Sequence, residues 1–217
     1  MRRALAACLA AGLLLSFVCP ARAEGKKRIA LTFDDGPHPT HTEAILSLLD
    51  EYGITATFFV IGENISYFPD AFDKLVAADV EIGNHTYTHP KLNEQKEGEL
   101  SDEIARCEEA IVARGGKHTS LFRPPEGVRN AVVTSVCRKA GYRTVYWNLD
   151  TLDWTGASAL SIERAILSGV KNGSIILCHD YIASGGHTVE AMRRVIPRLL
   201  DQGYEFVTVS ELLGIAN

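Results

Sequence analysis

Apolar residues follow two different spacings along this chain. Short continuous apolar runs are typical of strands that are buried on both faces, while apolar positions that recur every three to four residues are typical of one side of a helix. The runs predict seven strands, at residues 28–33, 56–61, 80–83, 120–123, 143–149, 174–178 and 205–209. The helical spacing predicts six helices, at residues 42–52, 70–78, 97–114, 131–140, 161–170 and 189–202.

The alternation of strands and helices indicates a parallel sheet that is covered by helices. Glycines stand just beyond the last turn of several predicted helices, where a left-handed residue commonly ends a helix: Gly53, Gly115, Gly141 and Gly203. The pattern does not distinguish an open, doubly wound sheet from a closed barrel. In both architectures, functional sites lie beyond the carboxyl ends of the strands.

The first 23 residues have the character of a secretory signal peptide. Arg2 and Arg3 precede an uncharged, mostly apolar run, and small residues flank Arg22. We predict cleavage after Ala23, which leaves one catalytic domain over residues 24–217. The protein would then be secreted or extracytoplasmic, on the cell-wall side, with no stable membrane association.

Two other interpretations of this segment are weaker. The apolar run is shorter than the roughly 20 residues that a membrane-spanning helix needs, so an uncleaved anchor is disfavoured. A lipoprotein signal at Cys19 is disfavoured because bulky Val18 stands where a small residue is expected.

Length and charge narrow the class of protein. The chain has 217 residues, of which 46 % are hydrophobic and 23 % charged, as in an ordinary globular domain. Removal of residues 1–23 takes away three arginines and no acidic residue, so the formal net charge goes from −5 to −8. An acidic protein without a basic block is poorly suited to nucleic acid or to anionic membranes. We predict neither a nucleic-acid partner nor a protein partner.

Three cysteines remain after residue 23, an odd number for an exported protein. Cys107 and Cys137 lie in two predicted helices and are a candidate disulfide pair. Cys178 lies in an apolar strand, where we expect a buried small hydrophobic residue. The sequence contains no CxxC motif, so a thiolate zinc site is not expected.

Two predicted strands end in residues that are suited to a metal site. The first is followed by TFDDGP, in which Asp34 and Asp35 are adjacent and a Gly-Pro pair ends the strand. The third is followed by HTYTHP, in which His85 and His89 are four residues apart. Alone, the first would be an ordinary turn and the second a solvated loop. Two imidazoles and a carboxylate together favour a hydrolytic metal site, with zinc as the expected ion.

Three further strand ends carry candidate chemistry. RPPEG contains Arg123, which can hold a carboxylate ionised, and two prolines that make the amide of Glu126 the first free N–H. DTLDW places Asp153 beside Trp154, a pairing suited to a sugar-binding wall, and LCH ends in His179, a candidate general acid. Each motif has an ordinary structural explanation, but their joint placement at one edge of one sheet favours a catalytic site.

These five motifs, in this order, resemble those of the NodB-type polysaccharide deacetylases, carbohydrate esterase family four. The resemblance extends over about residues 28–213. It implies a distorted (β/α)7 barrel, which would resolve the choice between sheet and barrel. It also implies a metal-dependent hydrolase that removes acetyl groups from an N-acetylated polysaccharide.

The resemblance implies a role for each matching residue. Asp34 would be the general base that activates water, and Arg123 would hold it. His179 would be the general acid that protonates the leaving amine, and Asp153 would adjust its basicity. The metal ligands would be Asp35, His85 and His89.

Four residues would contact the substrate. Trp154 and Leu177 would line the pocket for the acetyl methyl group, and the turn at Pro125 and Glu126 would contribute the Glu126 N–H to the oxyanion. Glu126 departs from the family pattern, which commonly has an aromatic residue there. The Glu126 N–H is present whatever the side chain, so its role toward the oxyanion is unaffected. The wall that an aromatic side chain would form beside the substrate is altered, so the departure bears on which substrate is bound.

Bacterial cell-wall glycan, peptidoglycan above all, is the leading substrate class. A chito-oligosaccharide deacetylase and an O-acetyl xylan esterase are the alternatives, because the same groups can cleave both bonds. Two different classes are a non-catalytic glycan-binding module on a decayed enzyme fold and an exported structural zinc protein. Decay is disfavoured because all the expected ligands and the acid–base residues are present.

Overall fold

A computed structural model describes residues 26–182 and 185–215, so the predicted signal peptide lies outside the described residues. The strands, numbered in chain order, are β1 (Lys27–Asp34), β2 (Thr57–Val60), β3 (Glu81–Asn84), β4 (Leu121–Phe122), β5 (Arg143–Thr144), β6 (Leu149–Asp150), β7 (Ile175–His179) and β8 (Tyr204–Phe206). The α-helices are α1 (His41–Tyr52), α2 (Gly62–Tyr67), α3 (Pro69–Ala77), α4 (Glu97–Ala113), α5 (Ala131–Ala140), α6 (Ala159–Gly169), α7 (Thr188–Asp201) and α8 (Val209–Leu213).

All the strand pairs are parallel, and β1 lies at the centre of the sheet. The order is β5-β4-β3-β2-β1-β7-β6, and β8 pairs with the first residues of β1. In this register Asp34 lies beside Phe59 of β2 and His179 of β7. The carboxyl ends of the strands therefore meet at one edge, as the alternating pattern predicts.

The sheet curls into a distorted barrel. The Arg123 side chain, directly after β4, hydrogen-bonds to Asp34 at the end of β1, three strands away. Residues 143–150 join the two sheet edges: β5 pairs with β4, whereas β6 pairs with β7. Within residues 26–182 and 185–215, no hydrogen-bond ladder joins β5 to β6. The two edges of the barrel are therefore connected by the chain segment itself. The predicted barrel fold is confirmed.

This crossing corrects the prediction of one strand at residues 143–149. The Val145 N–H is bonded to the carbonyl of Phe122 at the end of β4, whereas the Asn148 N–H is bonded to the carbonyl of Ile175 in β7. Neither edge is paired along the whole run, so two short strands form instead of one. An apolar run in the sequence cannot indicate that its partner changes halfway.

The other differences concern chain ends and short helices. The last predicted strand, 205–209, ends at Phe206, and α8 begins at Val209, where Thr208 and Glu211 form a capping box. The six predicted helices are confirmed with small shifts at their ends. Helix α2 was not predicted, because six residues are too few to show a helical period.

The alternation of side chains along β1 explains why Asp34 points into the barrel. Ile29, Leu31 and Phe33 belong to the large core between sheet and helices. Ala30 belongs to a smaller cluster with Val145. Because side chains alternate along a strand, Thr32 and Asp34 point to the same side as Ala30, into the barrel.

The cysteine predictions have mixed outcomes. Cys107 and Cys137 are both free and buried, so this candidate pair does not form a disulfide. Cys178 is fully buried in β7, which confirms its role as a small hydrophobic core residue. Burial raises the pKa of Cys107 to about 12 and that of Cys137 to about 11, so both thiols stay protonated at neutral pH. Among the described residues, no helix is long and apolar enough to cross a membrane.

Candidate active site

A cavity of about 500 Å³ opens at the carboxyl ends of the strands. The residues that line it are Asp34, Asp35, His85, His89, Glu126, Trp147, Asp150, Trp154, Leu177 and His179. They come from the ends of β1, β3, β4, β6 and β7 and from the loops that follow them. Most of the residues that the sequence singles out are therefore brought together in one place.

Asp34 and Arg123 form a buried ion pair beneath the cavity. The Arg123 Nη1 donates to Asp34 Oδ1 at 2.7 Å and to the Thr32 hydroxyl at 2.8 Å. The Arg123 guanidinium is fully buried and lies 4.1 Å from the ring centre of Phe59. A fully desolvated charge pair of this kind holds Asp34 in one orientation. The geometry matches the relation that the sequence predicts for these two residues.

Asp35, His85 and His89 converge on a common point. Asp35 Oδ1 lies 3.3 Å from His85 Nε2 and 3.5 Å from His89 Nε2, and the three donor atoms all lie within 4.8 Å of one another. Asp35 Oδ1 is buried without a hydrogen-bond partner. A buried carboxylate oxygen without a donor, facing two imidazole nitrogens, fits a divalent cation.

Charge within this group favours ionised Asp35. Burial by itself would raise the pKa of Asp35, but the close approach and charge of His85, together with the charges of His89 and His179, outweigh it and lower the pKa below its usual value. The pKa of His89 is lowered by burial and then by His85. Burial lowers the pKa of His85, but the charges of Asp34 and Asp35 outweigh it and raise this pKa. Because a ligand imidazole must be neutral, a bound cation would displace the proton of His85.

The surrounding residues orient the two histidines. His85 Nδ1 lies 2.7 Å from the carbonyl oxygen of Arg123, which leaves Nε2 directed toward Asp35. The loop between the histidines is held by Glu103 of α4, which accepts the N–H groups of Tyr87 and Thr88 at 3.0 and 2.7 Å. Glu103 was not predicted, since nothing in a helical sequence indicates which acidic residue contacts a distant loop.

On the opposite side of the cavity, His179 rests on Asp153. His179 Nδ1 lies 2.8 Å from Asp153 Oδ1. Asp153 Oδ2 accepts hydrogen bonds from the main-chain N–H of His179 and from the Thr188 hydroxyl, both at 2.8 Å. Burial would lower the pKa of His179, but the hydrogen bond and charge of Asp153 outweigh it and raise the pKa to about 9. The imidazole is therefore protonated at neutral pH and can donate a proton.

The turn after β4 is a single 3₁₀ turn over Pro125–Gly127. The hydrogen bonds of this turn run from the N–H groups of Gly127 and Val128 to the carbonyls of Pro124 and Pro125. Glu126 has a left-handed backbone, with φ of 55°, and its side chain is exposed at the cavity. Pro125 is buried beside the cavity and does not line it.

Aromatic and apolar side chains complete the wall. Trp154 and Leu177 both line the cavity, Trp154 with 54 % of its surface exposed and Leu177 buried. Trp147 and Asp150 also line the cavity, although the sequence patterns did not single them out as site residues. Trp147 packs against Gly127, where an added Cβ would come within 2.7 Å of the ring. The signal for both was their position at the end of the predicted strand 143–149.

Comparison with known proteins agrees with this geometry. Residues 21–145 match the family model described as polysaccharide deacetylase. The chain belongs to the polysaccharide deacetylase family. It is 39 % identical to a peptidoglycan-N-acetylglucosamine deacetylase of Bacillus cereus over 87 % of this chain and 89 % of that protein. It is 33 % identical to a chitooligosaccharide deacetylase of Bradyrhizobium, over 87 % of this chain and 91 % of that one.

Solved structures show the same fold. A crystal structure of a peptidoglycan N-acetylglucosamine deacetylase superposes with a TM-score of 0.83 and 35 % identity, over 88 % of this chain and 90 % of that one. Deacetylases of this family use a divalent metal, and the Asp35–His85–His89 group is where this polysaccharide deacetylase could hold one. The predicted family and fold are confirmed.

Proposed function

We propose that this protein is a secreted, zinc-dependent deacetylase that hydrolyses N-acetyl groups of a bacterial cell-wall glycan. The observation that carries the proposal is the division of work between adjacent carboxylates. Asp35 Oδ1 faces His85 and His89 without a hydrogen-bond donor, whereas Asp34 is held by Arg123. Zinc is the expected ion because two imidazoles and one carboxylate leave coordination positions open for water and substrate.

The chain's own residues supply the proton transfers. A divalent cation at Asp35, His85 and His89 would polarise the acetyl carbonyl and lower the pKa of water toward ~7. Asp34 takes a proton from the water that attacks the carbonyl carbon, and Arg123 keeps its carboxylate aimed into the cavity.

His179 completes the reaction. Once the water oxygen is bonded to the carbonyl carbon, the carbon–nitrogen bond breaks and the nitrogen needs a proton. His179 is protonated at neutral pH because its pKa is about 9, and it lies in the same cavity as Asp34. The products are acetate and a free amino sugar.

The oxyanion that forms during attack needs a hydrogen-bond donor. The Glu126 N–H follows two prolines, which have no N–H, and lies on the turn that borders the cavity. Trp154 and Leu177 supply an apolar wall for the acetyl methyl group. The oxyanion role of Glu126 and the wall role of Trp154 and Leu177 are both inferred from the positions of these residues at the cavity.

Peptidoglycan is the proposed substrate because the relatives with high identity are named for it and the N-terminal segment has the features of a secretory signal. Chito-oligosaccharide is the second candidate, supported by the chitooligosaccharide deacetylase relative. Acetylated xylan is the third, since an ester is cleaved by the same groups.

The test is acetate release by the zinc-loaded protein, residues 24–217, from peptidoglycan, N-acetylglucosamine oligomers and acetylated xylan. We expect release from peptidoglycan at the highest kcat/KM. Release from xylan alone would replace the amidase with an esterase. Binding to these glycans with no acetate from any of them would instead indicate a non-catalytic module.

A further inference from the structure

Five aromatic rings form a continuous surface beside the active site, which we call the aromatic ledge. Its residues are His38, His41, Tyr67, Phe68 and Tyr181. They come from three separate segments: the end of the β1–α1 loop with the first residue of α1, the junction of α2 and α3, and the loop after β7. Ring centres of successive members are 4.4 to 6.4 Å apart, with His38 in contact with His41, Phe68 and Tyr181.

The ledge is not part of the hydrophobic core. Tyr67 is 63 % exposed, and the other four rings are half-buried. Phe68 stands apart from the other phenylalanines of the described residues, which are buried in the core: Phe33, Phe58, Phe59, Phe72, Phe122 and Phe206. A contiguous group of aromatic side chains left partly open to solvent indicates a contact surface rather than packing.

Hydrogen bonds hold the ledge in place. The Tyr67 hydroxyl donates to Glu63 one turn earlier in α2, at 2.8 Å. His38 Nδ1 accepts the N–H groups of Thr40 and His41, so its proton is on Nε2, where it can donate. Rings that are fixed in advance lose little conformational freedom when a ligand is bound.

The ledge adjoins the catalytic cavity at His179. His41 and His179 line one small cavity together, and His179 also lines the main cavity. His38 follows the Asp34-Asp35 pair by only a few residues. A polymer whose reacting sugar lies at Asp34 and His179 would therefore reach these rings by passing His179.

We propose that the aromatic ledge is a subsite that binds one or more pyranose rings of the glycan next to the reacting sugar. Sugar rings have an apolar face of C–H groups, which stacks on aromatic rings, and hydroxyl groups at the edge, which accept from donors such as His38 Nε2 and the Tyr181 hydroxyl. The inference rests on the proposed function for the identity of the polymer. It makes the enzyme selective for chain length.

The test compares a hexamer with a dimer of N-acetylglucosamine. Each Tyr67 variant is made in two backgrounds. Binding is measured by calorimetry in the zinc-loaded Asp34→Asn background, which should bind glycan without turnover, and kcat/KM is measured in the background that keeps Asp34. Tyr67→Ala should reduce the hexamer-to-dimer ratio of affinity and of kcat/KM by roughly three- to tenfold, the scale of one aromatic contact. Tyr67→Phe keeps the ring and should preserve most of the ratio.

Leu213→Ala is the matched control. Leu213 is an exposed apolar residue, 51 % exposed, on α8 at the opposite end of the sheet, so its removal should leave both ratios at the native value. Equal ratios in Tyr67→Ala and the native protein would overturn the ledge. The ledge would also be overturned if light scattering showed a dimer that is lost in Tyr67→Ala and the hexamer-to-dimer ratios did not change. That result would mean that the surface binds a second copy of the protein.

The two proposals can fail separately. If the native protein released no acetate from any glycan, the proposed function would fail, while calorimetry on the Asp34→Asn protein would still report the length effect. If acetate were released with no preference for the hexamer, the ledge would fail and the function would stand.

Discussion

The two ends of the barrel carry two cavities of opposite character. The cavity at the amino ends of the strands is the larger, about 810 Å³ against 500 Å³ at the carboxyl ends. Its charged residues are solvated: Lys74 and Glu43 pair at 2.7 Å with about half of each side chain exposed. At the carboxyl end, Arg123 and Asp153 are fully buried and Asp34 is 3 % exposed.

The backbone differs between the ends in the same way. In the described part of the chain, five residues other than glycine have a left-handed backbone, and all lie beyond the carboxyl ends of strands: Asp35, Thr86, His89, Glu126 and Leu152. Such conformations cost about 1–3 kcal/mol each and persist where the surroundings enforce them. Buried charge and backbone strain therefore locate the chemistry, whereas cavity volume does not.

The largest effect should come from removing a metal ligand. His85→Ala deletes one of two imidazoles that face Asp35, so metal content and acetate release should both fall to background. The loss of metal affinity should exceed the roughly 10- to 100-fold typical of residues that only support a ligand. Atomic absorption on the purified protein measures the metal. Unchanged metal stoichiometry would remove His85 from the ligand set.

Asp34→Asn should separate proton transfer from metal binding. We expect kcat to fall by about 10²- to 10⁴-fold, the usual contribution of a general base, with metal content unchanged. Since Arg123 then loses its partner, a thermal melt is needed to show that the variant is folded. Full activity in a folded Asp34→Asn protein would show that another group accepts the proton.

Glu103→Gln should weaken the metal site from outside it. One oxygen of Glu103 accepts two N–H groups of the loop between His85 and His89, and an amide cannot accept them equally well. We expect roughly 10-fold weaker zinc binding by competition with a chelator.

Glu108→Gln is the matched control for Glu103. Glu108 lies on the same helix and accepts from Thr119 and Tyr142, away from the metal loop. Zinc affinity should therefore stay native in Glu108→Gln. Equal losses in the two variants would attribute the effect to α4 as a whole.

Asp153→Asn should change the pH dependence. A general acid works only while protonated, so kcat/KM should fall as pH rises through the pKa of His179, about 9. Without the Asp153 charge, burial, which lowers this pKa, is opposed only by the charges of Asp34 and Asp35. The alkaline limb of the kcat/KM profile should move to lower pH. A limb that stays in place would exclude His179 as the acid.

The smallest effect is expected at the amino end. Lys74→Ala breaks the half-exposed pair with Glu43, which should change the free energy of unfolding by about 0–1 kcal/mol. Acetate release should equal that of the native protein. A large loss of activity would mean that the amino-end cavity contributes to function and would end the contrast between the two cavities.

The five strand-end motifs were visible in the sequence because each is a local run in which ionisable residues stand at or directly after the end of a predicted strand. The same locality made the six longer helices predictable from their period. Trp147 and Glu103 were missed as site residues for the opposite reason. Their roles depend on packing against segments that are distant in the chain, such as Gly127 for Trp147.

The alternation of strands and helices, the edge of the sheet that carries the chemistry and the residue types of the site were all predictable from the sequence, since they depend on local spacing and side-chain chemistry. The division of the pair, with Asp34 toward Arg123 and Asp35 toward the histidines, was implied by the family resemblance, and the structure supplies its distances. The connection of the two sheet edges through residues 143–150, and the separation of Cys107 from Cys137, became known only from the folded chain. These outcomes depend on distances between remote segments, which spacing along a chain does not encode.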